Sequence, residues 1–162
     1  MGGQRQFFQR LCRLVDLPVV GPMLYRLNVN RLVLRHMAIG HVYSDPAFLD
    51  EGARLREKLA LTRAPGARFA SVRFVTGRLD PIADREAFLD LARRAARPIL
   101  VVYGAETPPR SRAEMEALAA LPGVRSVQVA RGKLAVHEEF PDTTAAAIEA
   151  FLREQPHASA AS

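Results

Sequence analysis

The chain has 162 residues, 49% apolar and 25% charged, a balance that excludes a disordered polyelectrolyte and suits a globular protein with one sizeable core. Its net charge of +6 is regional, with +8 over residues 1–97 and −2 over residues 98–162, and its arginines are dispersed rather than gathered into one run, so no nucleic-acid partner is expected. No apolar run approaches membrane-spanning length, the N-terminal MGGQRQFFQRLCRLV lacks the apolar core and cleavage site of a secretory signal, and Cys12 is the one cysteine; a reducing, cytoplasmic setting is expected.

From Gln4 to Leu17 the residues Phe7, Phe8, Leu11, Leu14 and Val15 recur at helical spacing with Arg5, Arg10 and Arg13 on other faces, which predicts an amphipathic helix ending near Pro18. Gly21-Pro22 can start a second helix through Leu24, Leu27, Leu32 and Leu34 toward Ile39, with Gly40 as its stop. Asp45-Pro46 and Asp50 are start signals for a third over Glu51 to Arg63. In ARFASVRFVTGRLDP both periods occur, and the helical one, through Phe69 and Val72, is preferred over a strand through Val72 and Phe74. Asp84 is placed to cap a helix from Arg85 to Ala95 with Phe88, Leu89 and Leu91 inward.

At Pro98 the pattern changes. Ile99-Leu100-Val101-Val102 is a short, wholly apolar run of the kind buried on both faces of a parallel sheet. A helix from about Ser111 to Leu121 follows, Ser111 and Glu114 being spaced as a capping box. VRSVQVA is a second strand, and Thr143 to Leu152 a final helix with Ile148, Phe151 and Leu152 inward. Two strands joined through a helix are expected as parallel neighbours. The fold class is therefore α/β: a helical region over residues 1–97, a β-α-β-α unit over residues 98–155 and a disordered tail over residues 156–162.

In open parallel sheets, ligands and catalytic groups gather beyond the carboxyl ends of the strands. Glu106 follows the first strand there and His137 the second. A carboxylate that accepts from one imidazole nitrogen fixes the tautomer and leaves the other nitrogen as a general base. The alternative is a solvated loop acid and a histidine that merely precedes the last helix. Asp80, in Leu79-Asp80-Pro81, is a reserve acid that also suits a turn or a cap.

Two stretches, RPILVVYGAETPP and GKLAVHEEFPDTTAAAIEAFL, resemble the acid-bearing strand and the histidine-bearing segment of the α/β-hydrolase-fold superfamily. LYRLNVNRLVLRHM, HVYSDPAFL and PGARFASVRFVTGRLDP are similar to its lid segments, so the resemblance spans about residues 18–153. It implies a helical lid followed by the last two strands and helices of the hydrolase sheet, an incomplete fold, with Glu106 as triad acid and His137 as catalytic histidine. The superfamily more often places aspartate where Glu106 stands, and its histidine often follows a glycine directly; here Lys133 follows Gly132, which leaves Lys133 as the alternative occupant. The nucleophile of such proteins sits in a G-x-S-x-G elbow, and no such motif occurs here: Ser71 has no flanking glycines, and Ser44, Ser111 and Ser126 suit a loop, a cap and a strand. The resemblance thus implies that Met1 corresponds to an internal position of a longer protein, through a truncated gene, a misplaced start or a split pair.

The function so implied is hydrolysis of an ester or related bond in an apolar small molecule, with the nucleophile supplied from outside this sequence and the chain alone inactive. The partners expected are that substrate and either a missing N-terminal half or a second copy at the exposed strand edge. No cofactor and no metal are expected, since His36 and His41, near Asp45, are five residues apart and do not share a helix face. The competing function is a non-catalytic module that binds a partner, or an anionic membrane surface through the N-terminal helix and its arginines.

Overall fold

A computed structural model describes residues 12–50, 53–77, 79–82 and 84–155. After a helical segment at residues 12–16 come α1 (Val20–Asn28), α2 (Arg31–Met37), a π-helical turn at Ala38–Val42, α3 (Pro46–Asp50), α4 (Arg54–Leu61), α5 (Ala67–Val75) and α6 (Arg85–Arg94). Then follow β1 (Ile99–Gly104), α7 (Pro109–Ala119), β2 (Val124–Val129), α8 (Val136–Glu139) and α9 (Pro141–Glu154). The described residues fall into two compact units, one drawn from Met1–Ala38 and Leu49–Ala83, the other from Ile39–Phe48 and Asp84–Ser162. Residues 39–48 and 84–97, which belong to the expected helical region, cluster with the sheet.

In the first unit the expected second helix is two helices. Asn30 adopts an extended backbone and its Oδ1 accepts from the N–H groups of Leu32 and Val33 at 3.0 and 3.1 Å, so it ends one helical run and caps the next. Gly40, which belongs to the second unit, lies within the π-helical turn instead of stopping a helix. The ambiguous ARFASVRFV stretch is helical, as α5. Cys12 and Val15 are buried, and Cys12 Sγ lies 3.4 Å from Thr76 Oγ1. Most of the predicted helix over Gln4 to Leu17, part of the Glu51 start and the predicted tail lie outside the described residues.

The second unit is mixed helix and strand around a small parallel sheet, β1 beside β2, in register from Ile99↔Val124 to Gly104↔Val129. β-branched residues make up half of each strand, as a pleated, partly buried surface favours. The helix α7 connects them and packs on both, while α9 packs on β1 and α6 on α7. β1 is only half-buried from Ile99 to Tyr103, short of the complete burial expected, because a two-stranded sheet gives each strand one neighbour. Similarly Leu89 is buried, but Phe88, Leu91, Ile148 and Leu152 remain exposed on helix faces that the pattern assigns inward.

Two local expectations differ for identifiable reasons. Asp84 does cap α6, accepting from Ala87 N at 3.0 Å. The Ser111–Glu114 capping box does not form: α7 begins earlier, with Pro109 at its first position, where a missing N–H costs nothing. Glu114 instead meets Arg85 in a two-pronged ion pair, both contacts at 2.7 Å. Among the described residues no helix is long and apolar enough to cross a membrane.

Candidate functional site

Parallel pairing brings the carboxyl ends of β1 and β2 side by side at Gly104 and Val129. The turn after β1, Gly104 to Thr107, is bonded to the end of β2 and the loop after it at three points. Ala105 N donates to Val129 O at 2.9 Å, Glu106 N to Gly132 O at 3.0 Å, and Thr107 Oγ1 to Lys133 O at 3.3 Å. Thr107 is fully buried, and its N–H closes the turn onto Gly104 O at 3.1 Å.

Both glycines at this junction are required by geometry. A Cβ on Gly104 would stand 1.9 Å from the carbonyl oxygen of Gly132. Gly132 has φ +96°, a left-handed conformation that side chains disfavour, and a Cβ there would meet Val136 Cγ1 at 2.8 Å. The close approach lets the two post-strand loops share hydrogen bonds.

A second support lies beneath the acid. The guanidinium of Arg112, on α7, donates through Nη2 to the carbonyl oxygens of Ala105 and Thr107, the residues on either side of Glu106. Its Nε is buried and has no partner among the described residues. The carboxylate of Glu106 is 44% exposed, with Arg131 Nε 4.0 Å away.

His137 lies on α8, the four-residue helix ahead of α9. Its imidazole is 68% exposed and its Nε2 is 3.9 Å from Glu138 Oε1. The hydrogen bonds among the described residues include none between Glu106 and His137. The Glu106 turn is nonetheless tied to the segment leading to α8, through Gly132 and Lys133.

The neighbours of His137 fasten this loop to residues 39–48. Tyr43, fully buried, donates its hydroxyl to Glu138 Oε2 at 2.6 Å. Glu139 accepts from Ser44 N at 2.9 Å, Ser44 Oγ at 2.9 Å and Asp45 N at 2.7 Å. Ala135 N donates to Val42 O at 3.1 Å. Lys133, the alternative occupant of the histidine position, donates its Nζ to Ile39 O.

Asp80, the reserve acid, belongs to the first unit. Its Oδ1 accepts from Ile82 N at 2.9 Å, an Asx turn that leaves the side chain exposed. His36 and His41 are exposed, and no group of three metal-ligating side chains gathers among the described residues.

Sequence reasoning missed Arg112, Tyr43, Glu138 and Glu139. Ser44-Asp45-Pro46 is a visible helix-start signal, and its free N–H groups require an acceptor. That the acceptor is a carboxylate 94 or 95 residues away is not visible locally.

Chemically, the arrangement offers an accessible carboxylate on the turn after β1 and an accessible imidazole on α8, whose leading loop is hydrogen-bonded to that turn. No family model, no curated protein and no solved structure matches this chain.

Proposed function

We propose that this chain is the lid region and C-terminal α/β portion of an α/β-hydrolase-fold protein, acting on an ester or related bond in an apolar small molecule. His137 is its general base and Glu106 the acid that orients it; the nucleophile comes from sequence outside these 162 residues. The observation that carries this reading is the hydrogen bond from Glu106 N to Gly132 O at 3.0 Å, which joins the acid's turn to the loop leading to His137. Exposure of the His137 imidazole supports it, since a general base must meet the nucleophile and substrate. The edge of β1 away from β2 carries no strand among the described residues, and in this reading it receives the remainder of the sheet or, failing that, a second copy of the chain.

The reading is tested in the genomic DNA. An in-frame stretch 5′ of the Met1 codon, or a separately encoded chain that co-purifies, is expected to carry a strand–elbow–helix nucleophile motif. Finding neither rejects the reading.

A second reading is a non-catalytic module that binds a partner or an anionic membrane surface. It is favoured by the exposed stripe Val20, Met23 and Leu27 along α1, with Arg26 beside it. Co-sedimentation with anionic liposomes at low and high salt tests the membrane form, and absence of binding at both removes it.

A further inference from the structure

A groove of about 740 Å³ in the first unit is built from α1, the start of α2 and the turn leading into α5. Its size falls in the range of small-molecule sites. Four arginines line it, Arg26, Arg31, Arg63 and Arg68, and no carboxylate does among the described residues. None of the four forms an ion pair among the described residues, although Arg31 lies close enough to Asp50 to help hold that carboxyl below its ordinary range. Two other arginines of the unit are committed elsewhere: Arg35 bonds Asp50 and Arg73 bonds Asp16. The groove thus gathers four guanidinium groups that no lining carboxylate offsets among the described residues.

The frame of the groove is fixed. Tyr25 donates its hydroxyl to Thr62 O at 3.1 Å and lies 3.3 Å from Ser71 Oγ, which ties α1 to the turn and to α5. The turn is closed by backbone hydrogen bonds between residues three apart, from Arg63 N to Ala60 O, Ala64 N to Leu61 O and Ala67 N to Ala64 O, at 3.0, 3.2 and 3.0 Å. The guanidinium of Arg68 sits 4.2 Å over the ring of Phe69, a cation–π contact that restrains it. Guanidinium forks match the oxygens of phosphate, and several held around one concavity repel one another until an anion occupies it.

We propose that this groove binds a small phosphate ester, its phosphate among the arginines and its apolar or aromatic body against Phe69 and Val29. The site is independent of Glu106 and His137, and its test does not rely on turnover. Isothermal titration of the full chain with 1-naphthyl phosphate, inorganic phosphate and neutral 1-naphthol is expected to show saturable, salt-weakened binding of the ester, weaker binding of inorganic phosphate and none of naphthol. The double variant Arg63→Gln/Arg68→Gln is expected to weaken ester binding by about tenfold or more, and Arg85→Gln, in the other unit, to leave it unchanged. If the double variant loses its helical circular dichroism, Arg26→Gln and Arg68→Lys are read in its place, each expected to weaken binding severalfold. No saturable binding, or binding that ignores these substitutions, overturns the proposal. So does Arg63- and Arg68-dependent binding of single-stranded DNA or phosphatidylglycerol vesicles without binding of the ester, which would make the groove part of a polyanion-binding surface.

Discussion

The backbone of Gly104 runs so close to that of Gly132 that a Cβ on Gly104 would stand 1.9 Å from the Gly132 carbonyl oxygen. That oxygen also accepts the Glu106 N–H, so the contact and the hydrogen bond form one joint. Gly104→Ala must push the loops apart. It is expected to destabilise the chain by about 1–3 kcal/mol or more, as overpacking does, measured by urea unfolding. An unchanged midpoint would show that the loop moves freely and that the joint is loose.

Arg112 holds the same turn from below through the Ala105 and Thr107 carbonyls. Arg112→Met keeps most of the apolar stem and removes the donors, leaving two partly buried acceptors without the cation. Thermal melting is expected to register a loss of about 1–3 kcal/mol, with faster amide exchange from Ala105 to Thr107. Exchange unaltered at that turn would place the cost of the substitution elsewhere.

Glu139 gathers the Ser44 and Asp45 donors onto one carboxylate. Glu139→Ala removes charge-assisted hydrogen bonds and is expected to cost about 1.5–3 kcal/mol, because the freed N–H groups regain water only in part. The change is expected to speed hydrogen exchange at Ser44 and Asp45 while sparing β1 and β2. Uniform acceleration throughout the unit would instead mean that residues 39–48 and the sheet unfold together.

The pair between Arg85 and Glu114 carries a pH dependence whose sign is set. The hydrogen bond from Arg85 holds the Glu114 carboxyl below its ordinary range. A carboxyl whose folded pKa lies below its unfolded value stabilises above the unfolded pKa and loses that contribution as pH falls through the folded one. Stability is therefore expected to decline below about pH 5, and Glu114→Gln to flatten part of the decline. Both groups are exposed, so the effect is small and fades with added salt. A steeper acid slope in Glu114→Gln than in the parent would contradict the assignment.

What the sequence made legible follows from the range of the forces involved. β1, β2 and the cap at Asp84 are set by residues within a few positions of one another, and they form where the pattern puts them. Asn30 was hidden because one polar residue in a helical period reads as part of the solvent face until its side chain is seen turning back to Leu32 and Val33. Ser111 and Glu114 matched a local motif that a competing start at Pro109 and an ion pair with Arg85 displaced. At the candidate site, the two residue types and their positions after the strands were readable. The supports were not, since Gly104 against Gly132, Arg112 under the turn and Glu139 on Ser44 are contacts of the folded chain. The exposed apolar faces of α6 and α9 were also unreadable, because periodicity marks a face that can be buried without stating what covers it.

The most direct measurement is hydrolysis of p-nitrophenyl butyrate, first by this chain and then by the chain joined to or combined with the nucleophile-bearing segment that the proposed function requires. The account predicts the buffer rate for the chain alone. It predicts turnover for the completed protein that falls to near the buffer rate in His137→Ala, and by about 10⁴-fold in Glu106→Gln, whose amide favours the wrong imidazole tautomer. Turnover by the chain alone that His137→Ala abolishes, or a completed enzyme indifferent to His137, would contradict it.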